Sequence, residues 1–353
     1  MKKEKTNYIG LYFATLFITL LILIAIVAVG FAVFKLQNPN KSIGELIDDT
    51  GEIFESKKEQ TETEANIETE PDITETSAET VIPEETEAET ELSKTTKTVN
   101  LTLNDKAGSL ILANPDNTYI IPSDNTLVSV YANKNKCYVL ANSGLMLDKD
   151  CIIAFNSLTS AFKMAKGVSD LIISYAYVTN EEQADLFSKY VNVYGLKKAG
   201  ELMQNAGCSD HNTGLGFDLN AYRDGAVYYI YSGTEYDWLV ENCYKYGFIN
   251  RYPDDKTEIT GVSDSWHLRY VGVEHATYIY KNSLCLEEYL TLLKNYTYDG
   301  EHLCFTGDSS NSYEIFTLDG KDGTVQLEIP ENVSSYSVSG TNTGMAVVTL
   351  YYN

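Results

Sequence analysis

The central stretch of this sequence predicts an α+β fold, and three observations predict it. Apolar residues recur at helical spacing at Phe155, Leu158, Phe162 and Ala165, and Trp238, Leu239, Asn242 and Tyr246 mark another helix. Short apolar runs of strand length, such as Leu171-Ile172-Ile173-Ser174, fall between those helices without βαβ regularity. After Tyr296 the helical period disappears, and alternating strands separated by Gly, Asn and Asp take over. The expected organisation has five parts. Residues 1–43 form a cytoplasmic tip and transmembrane anchor, and 44–96 an acidic disordered linker. Residues 97–147 form a β-rich segment, 148–295 the α+β core, and 296–353 a small C-terminal β module.

Tyr8 to Phe34 is an apolar run without a single charge, longer than the roughly 20 residues that cross a hydrocarbon core. Lys2, Lys3 and Lys5 precede it, and positive charge stays on the cytoplasmic side. The apolar region of a cleaved signal peptide spans only about 7 to 15 residues. The reading is therefore a retained single-pass anchor, N-terminus inside, with the folded part outside. The linker carries 15 Asp/Glu between Glu52 and Glu91 against Lys57 and Lys58. Such a composition buries too little apolar surface to offset its ordering entropy, and like charges extend it. The whole chain has 26 Lys+Arg against 50 Asp+Glu, a net charge of -24. With no basic stripe, that excludes a nucleic-acid partner.

In the β-rich segment Val99, Leu101 and Leu103 alternate with polar residues, and Leu127, Val128, Val130 and Tyr131 do so more loosely. In the core, Asn180 is placed to cap a helix that begins with Glu181 and Glu182 and runs past Ala184, Leu186 and Phe187. Gly247 ends the helix of Trp238, Trp266 to Val271 reads as a strand, and Leu286 to Lys294 as the closing helix. Tyr313, Ile315, Val325, Leu327, Ile329, Tyr336, Val338 and the run 346–351 read as strands. Cys137, Cys151, Cys208, Cys243, Cys285 and Cys304 show no CxxC spacing, so buried thiols and at most one bridge are expected.

The chain has only four histidines. His211 and Asp218 are seven residues apart and flank Gly214 and Gly216, where the chain can turn sharply enough for both side chains to meet one ion. Asp218 lies between Phe217 and Leu219, and on a strand it faces away from them. An acid in such a setting is costly unless paired or metal-bound. His267, Arg269 and Val271 share the opposite face of their strand from Trp266, Leu268 and Tyr270, and Asp264 stands at its entrance. Two imidazoles and a carboxylate are a ligand set for catalytic zinc, which keeps one position open. Asp264 is placed to take a proton from water activated there. From residues alone, structural histidines and an Asp218 that caps a turn stay open as alternatives. His275 reads as a surface residue, His302 falls outside the core, and Glu274 and Glu287 read as helix-face acids.

The segment Ser209-Asp210-His211-Asn212-Thr213-Gly214-Leu215-Gly216-Phe217-Asp218 resembles the S-x-H-x-x-G-x-x-x-D signature of the VanY-type D-alanyl-D-alanine carboxypeptidases. Tyr246 to Pro253, then Lys256, Ile259-Thr260-Gly261 and Trp266 to Gly272, are similar to that family's YGFxxRYP…K…TG…WHxRYVG stretch. Leu286-Glu287-Glu288-Tyr289-Leu290 resembles its terminal helix, so the likeness spans about residues 138 to 294. The resemblance implies a zinc peptidase core, with Zn2+ held by His211, Asp218 and His267. It implies substrate-side roles for Ser209, Gln183, Tyr177, Arg251, Trp266 and Arg269. The expected partner is the peptidoglycan stem peptide, from which the family removes a terminal D-alanine.

Two positions depart from the pattern. Asp264 stands where the family has a Glu base, one methylene shorter, and a general base must come within about 2.6 to 3.2 Å of its proton, directly or through one water. The family's S-x-Y-R-S aligns with Tyr175-Ala176-Tyr177-Val178-Thr179, which puts Val178 in place of the Arg that stabilises the oxyanion. Losing one such donor costs about 10²- to 10³-fold in other enzymes. Two functional readings follow. One is a membrane-anchored extracellular zinc peptidase at the cell wall, acting as a D,D-carboxypeptidase or an endopeptidase. The other is a silent or weakened peptidoglycan-binding module on the same fold. The C-terminal β module reads as a packing appendage, with an adhesive role as the competing reading.

Overall fold

The computed structural model describes residues 95–308 and 310–352. The expected anchor and most of the expected linker lie outside them, and no helix among the described residues is long and apolar enough to cross a membrane.

A mixed sheet organises the core. Its strands are β3 (Tyr138–Leu140), β5 (Leu171–Tyr175), β6 (Gly216–Arg223), β7 (Ala226–Tyr228), β8 (Phe248–Tyr252) and β9 (Asp264–Tyr270). They run in the order β3-β5-β6-β9-β8, with β7 on β6. β3 and β5 are parallel, and the other pairings are antiparallel. Beside it β2 (Leu127–Ser129) pairs with β4 (Met146–Asp148).

Helix α1 (Lys149–Lys166) covers one face of this sheet. Asp148 caps it by accepting hydrogen bonds from the Asp150 and Cys151 amides, and Gly167 ends it at φ +71°, where L-residues are strained. Its periodic residues Ile152, Phe155, Leu158 and Phe162 are buried against Phe217, Leu219, Phe248 and Leu268. Phe155 meets Tyr138, Phe217 and Phe248 edge to face at 4.8, 4.6 and 6.1 Å. Burial of each such ring contributes about 1.5–3 kcal/mol.

Helix α2 (Asn180–Tyr194) begins one residue before the sequence reading. Its cap is Thr179, not Asn180. The Thr179 hydroxyl accepts from the Glu182 amide at 3.1 Å, and the Glu182 carboxylate accepts from the Thr179 amide at 3.0 Å. Asn180 is thereby free to donate to the Tyr119 carbonyl at 2.9 Å. Helices α3 (Leu196–Leu202) and α4 (Asp237–Asn242) follow, and Gly247 terminates the 3-10 turn after α4 in the left-handed region.

Helices α5 (Val273–Lys281) and α6 (Leu286–Leu293) share a second core with the C-terminal strands. β10 (Leu303–Thr306), β11 (Ser312–Asp319), β13 (Ser335–Gly340) and β14 (Met345–Tyr352) form one sheet in the order β10-β11-β14-β13. Leu303, Ile315, Met345 and Val347 pack with Leu286, Leu290 and Leu293. β1 (Thr96–Leu103), from the β-rich segment, pairs along its whole length with β12 (Gly323–Pro330). The two β stretches that the sequence separates by the whole core therefore meet, through pairing over more than 200 residues that local alternation cannot report.

His275 is a correction. It is buried on α5, not at the surface, with Nδ1 2.8 Å from the Tyr289 hydroxyl and Nε2 3.4 Å from that of Thr349. Glu274 beside it accepts from Tyr351 at 2.7 Å. Both are interface residues, because the C-terminal sheet covers a helix face that looks exposed when the helix is read alone. All six cysteines are free thiols, so no bridge forms.

Candidate metal centre

Ser209 caps a short 3-10 turn, Asp210–Thr213, and the turn is closed by Gly214 at φ +73°. β6 then departs from Gly216 and pairs with β9 so that Asp218 lies opposite His267. Alternation sends Phe217 and Leu219 into the core beneath α1 and leaves Asp218 on the other face, as the sequence pattern implies.

His211, Asp218 and His267 are brought together, each offering a ligand atom within 4.8 Å of the others. His267 Nδ1 is 2.8 Å from Asp218 Oδ1, and His211 Nε2 is 3.4 Å from the same oxygen. Ligand atoms held tetrahedrally at about 2.0–2.1 Å from zinc stand about 3.4 Å apart, so the trio fits that ion after a small adjustment of His267. His267 is buried, whereas His211 and Asp218 are half-buried, which leaves one side of the cluster accessible.

His267 is braced from behind. Its Nε2 lies 2.9 Å from Asp210 Oδ2, and Asp210 is fully buried. Arg269 binds the other Asp210 oxygen through Nη1, and Arg251 Nε approaches it at 3.5 Å. Arg251 donates two parallel hydrogen bonds to Glu287 at 2.9 and 2.7 Å, and Arg269 Nη2 donates to the carbonyls of Ser109 and Ile111 at 3.0 and 2.6 Å. Two arginines thus balance two carboxylates, and nearly every polar atom is used, as a buried ionic network requires. A carboxylate behind a ligating histidine fixes the ring and raises its basicity.

The electrostatics follow from this wiring. Burial alone would raise the Asp210 carboxyl, but Arg269, His267 and Arg251 hold it well below the usual carboxylate range. Asp218 is likewise held low against burial by His211 and His267. Burial disfavours charge on His267, yet its hydrogen bonds to Asp210 and Asp218 bring it up to about 9. Asp264 goes the other way: burial and the nearby Asp218 charge raise it, with His267 and His211 opposing. The Trp266 amide donates to its Oδ1 at 3.1 Å. The register of β8 against β9 shifts between Asn250 and Tyr252, so that Tyr252 lies opposite Asp264. That irregularity breaks strict alternation at the residue expected to act as base.

The remaining expected site residues divide. Tyr177 is half-buried in the loop after β5, its amide bound to the Met146 carbonyl at 3.2 Å. Trp266 packs against the core and meets Tyr236 edge to face at 6.5 Å. Ser209 is buried, and its hydroxyl accepts from the His211 amide at 3.3 Å. Gln183 is buried and donates to the Gln204 carbonyl at 2.6 Å. Arg251 and Arg269 are 1% and 0% exposed and engaged with Asp210. All four are buried: Ser209, Arg251 and Arg269 bond to the residues that frame the trio, and Gln183 to the Gln204 carbonyl. Val178 is buried beside His211, its amide donating to the His211 carbonyl at 3.3 Å. His302 pairs with Glu314 and stands outside the trio.

The sequence reading missed Asp210. The available signal was indirect: two arginines on buried strands require a buried anion. It also missed the role of Gly216, where a Cβ would collide with Asp210 Oδ2 and His267 Nε2.

Comparison with known proteins agrees with this geometry. Residues 144–273 match the family model described as VanY, D-alanyl-D-alanine carboxypeptidase. A D-alanyl-D-alanine carboxypeptidase of Enterococcus faecium is 31% identical over 248 residues, 69% of this chain and 75% of that protein. One from Enterococcus faecalis is 46% identical over 142 residues, 37% of this chain and 50% of its own. Among solved structures, the vancomycin resistance D,D-dipeptidase VanXYg in complex with a D-Ala-D-Ala phosphinate analog superposes with a TM-score of 0.61 at 26% identity. That match covers 73% of this chain and 99% of the other. The chain belongs to the VanY family of D-alanyl-D-alanine carboxypeptidases, which are zinc metallopeptidases.

Proposed function

We propose that this protein is a membrane-anchored, extracellular zinc carboxypeptidase that removes the terminal D-alanine from peptidoglycan stem peptides. The observation that carries the reading is the accessible trio of His211, Asp218 and His267 with Asp264 in electrostatic range of all three. Zinc held by the trio supplies Lewis-acid polarisation of the scissile carbonyl and lowers the pKa of the attacking water. Asp264 accepts the proton of that water and passes it to the departing amine of D-alanine. Its raised pKa moves it toward the range in which a carboxylate can do both. Asp210 keeps the His267 ring oriented, and Arg251 and Arg269 keep Asp210 ionised.

The extracellular placement rests on the sequence: the uncharged run Tyr8 to Phe34 behind Lys2, Lys3 and Lys5, and the acidic stretch after it. A spacer of that kind carries the folded region toward the wall polymer.

A second reading, a silent wall-peptide binder, is favoured by Val178 and Asp264, which replace the Arg and Glu of the family pattern. One experiment separates the two. The zinc-loaded full-length protein is incubated with stem pentapeptide and tetrapeptide, and the products are weighed by mass spectrometry. Loss of one alanine from the pentapeptide, absent in His211→Ala, is the expected result. Binding of peptide without cleavage would replace the enzyme reading by the binder, and cleavage at an internal bond would make the protein an endopeptidase.

A further inference from the structure

The carboxypeptidase reading leaves a gap: the tetrahedral oxyanion needs a donor, and the position that supplies it in the family pattern is the apolar, buried Val178. Arg251 and Arg269 cannot move in, because both are buried and bound to Asp210, Glu287 and backbone carbonyls.

Strand β5 supplies another group. Ile173 lies opposite Leu219 and faces the core. By alternation Tyr175 would follow Ile173 into the core. The register shifts between these two residues, however, and Tyr175 lies opposite Asp218 instead. Such a bulge re-aims a side chain. Asp218 in turn lies opposite His267 on β9. Tyr175, Asp218 and His267 therefore form one row across three adjacent strands on one face, each roughly 4.5–5.5 Å from the next at Cβ. The Tyr175 ring meets the His211 ring edge to face at 4.7 Å, so it touches the trio from two directions. Tyr175 is half-buried, so it is neither sealed in the core nor free in solvent. Tyr252, whose ring lies 5.1 Å from that of His267, has its hydroxyl buried away from solvent.

We propose that Tyr175 is a catalytic residue of this chain, its hydroxyl donating a hydrogen bond to the oxyanion in place of the missing arginine. When water adds to the scissile carbonyl, the π electron pair moves onto the carbonyl oxygen. The Tyr175 O–H donates to that oxygen, and the bond is released as the pair returns and the C–N bond to D-alanine breaks. No proton leaves the phenol: burial and the nearby Asp218 charge hold it above its ordinary value, so it is neutral at pH 7. The proposal rests on the carboxypeptidase reading.

The test is Tyr175→Phe in the full-length zinc-loaded protein, which keeps the ring against His211 and removes one oxygen. The expected result is a fall in kcat of about 10²-fold with KM for stem pentapeptide nearly unchanged. Affinity for a D-Ala-D-Ala phosphinate, whose P–O oxygen occupies the oxyanion position, falls by a comparable factor in calorimetry, while the zinc content stays at one equivalent. Adding Val178→Arg to Tyr175→Phe restores part of the lost rate. Unchanged kcat and phosphinate affinity in the Phe variant overturn the proposal. Loss of zinc in that variant also overturns it, because a supporting role would then explain the rate. A wild-type protein that neither cleaves pentapeptide nor binds the phosphinate overturns the carboxypeptidase reading itself, and this proposal with it.

Discussion

The two histidines of the trio are held in different ways. His267 sits in a closed, fully buried network, with Asp210 on one ring nitrogen and Asp218 on the other. His211 meets Asp218 at one nitrogen, has the rings of Tyr175 and His267 for neighbours, and its Nδ1 is buried without a hydrogen-bond partner among the described residues. Of the two departures from the family pattern, Val178 is buried with its amide on the His211 carbonyl and Asp264 lies in electrostatic range of all three ligands, while Asp210, Arg251 and Arg269 brace His267. One side of the centre is built to hold the metal. The other, in the proposed carboxypeptidase reading, faces the substrate. The contrast teaches that metal binding and rate can be broken separately.

The largest effect belongs to the shared ligands. His267→Ala or Asp218→Ala should abolish stoichiometric zinc binding and reduce hydrolysis to background, read by metal analysis and product mass. A variant that keeps one equivalent of zinc would remove these residues from the ligand set.

Asp264→Asn acts on the working side alone. It should lower kcat by about 10²- to 10⁴-fold, the range for a positioned acid–base group. Rates near wild type would mean that another group takes the proton.

On the holding side, Asp210→Asn leaves Arg251, Arg269 and His267 without their shared anion. Breaking a buried ion pair costs about 3–5 kcal/mol, and removing the carboxylate behind a ligand histidine costs about 10- to 100-fold in metal affinity. Denaturant unfolding and chelator competition read the two. Gly216→Ala forces a methyl between Asp210 and His267 and should cost about 1–3 kcal/mol of stability. An unshifted unfolding midpoint would show that the pair has room to yield.

The smallest effect tests a histidine far from either side. His302 Nδ1 lies 2.5 Å from Glu314 Oε1. Burial opposes charge on His302, but the bond to Glu314 raises it above its ordinary value, so its contribution is present below about pH 6.5 and lost as pH rises through the raised value. Burial pushes Glu314 up, but His302 and Tyr352 hold it below its ordinary value, so its contribution is present above about pH 4.3 and lost on acidification. The stability difference between wild type and His302→Gln should therefore be larger at pH 5.5 than at pH 8. A difference independent of pH would dismiss the ion pair.

The same contrast explains what could be read from the sequence. The helix of Phe155, the strand of Trp266 and the inward turn of Asp218 follow from local periodicity and were legible. The grouping of His211, Asp218 and His267 was implied by the resemblance of their motifs to the VanY pattern, and folding brings the three side chains together. What was not legible depends on pairing distant segments. The register shifts that re-aim Tyr175 and Asp264 break the alternation on which a sequence reading relies. Arg251 and Arg269 looked like substrate groups, because their counter-anions Asp210 and Glu287 meet them only after folding. His275 looked exposed until β14 brought Thr349 against it.

The most direct test measures zinc affinity and kcat side by side for Asp210→Asn and Asp264→Asn. Asp210→Asn should lose affinity yet recover most of its rate at saturating zinc. Asp264→Asn should bind zinc as the wild type does and stay slow at any zinc concentration. If both variants lose affinity and rate together, the division between a holding side and a working side is wrong.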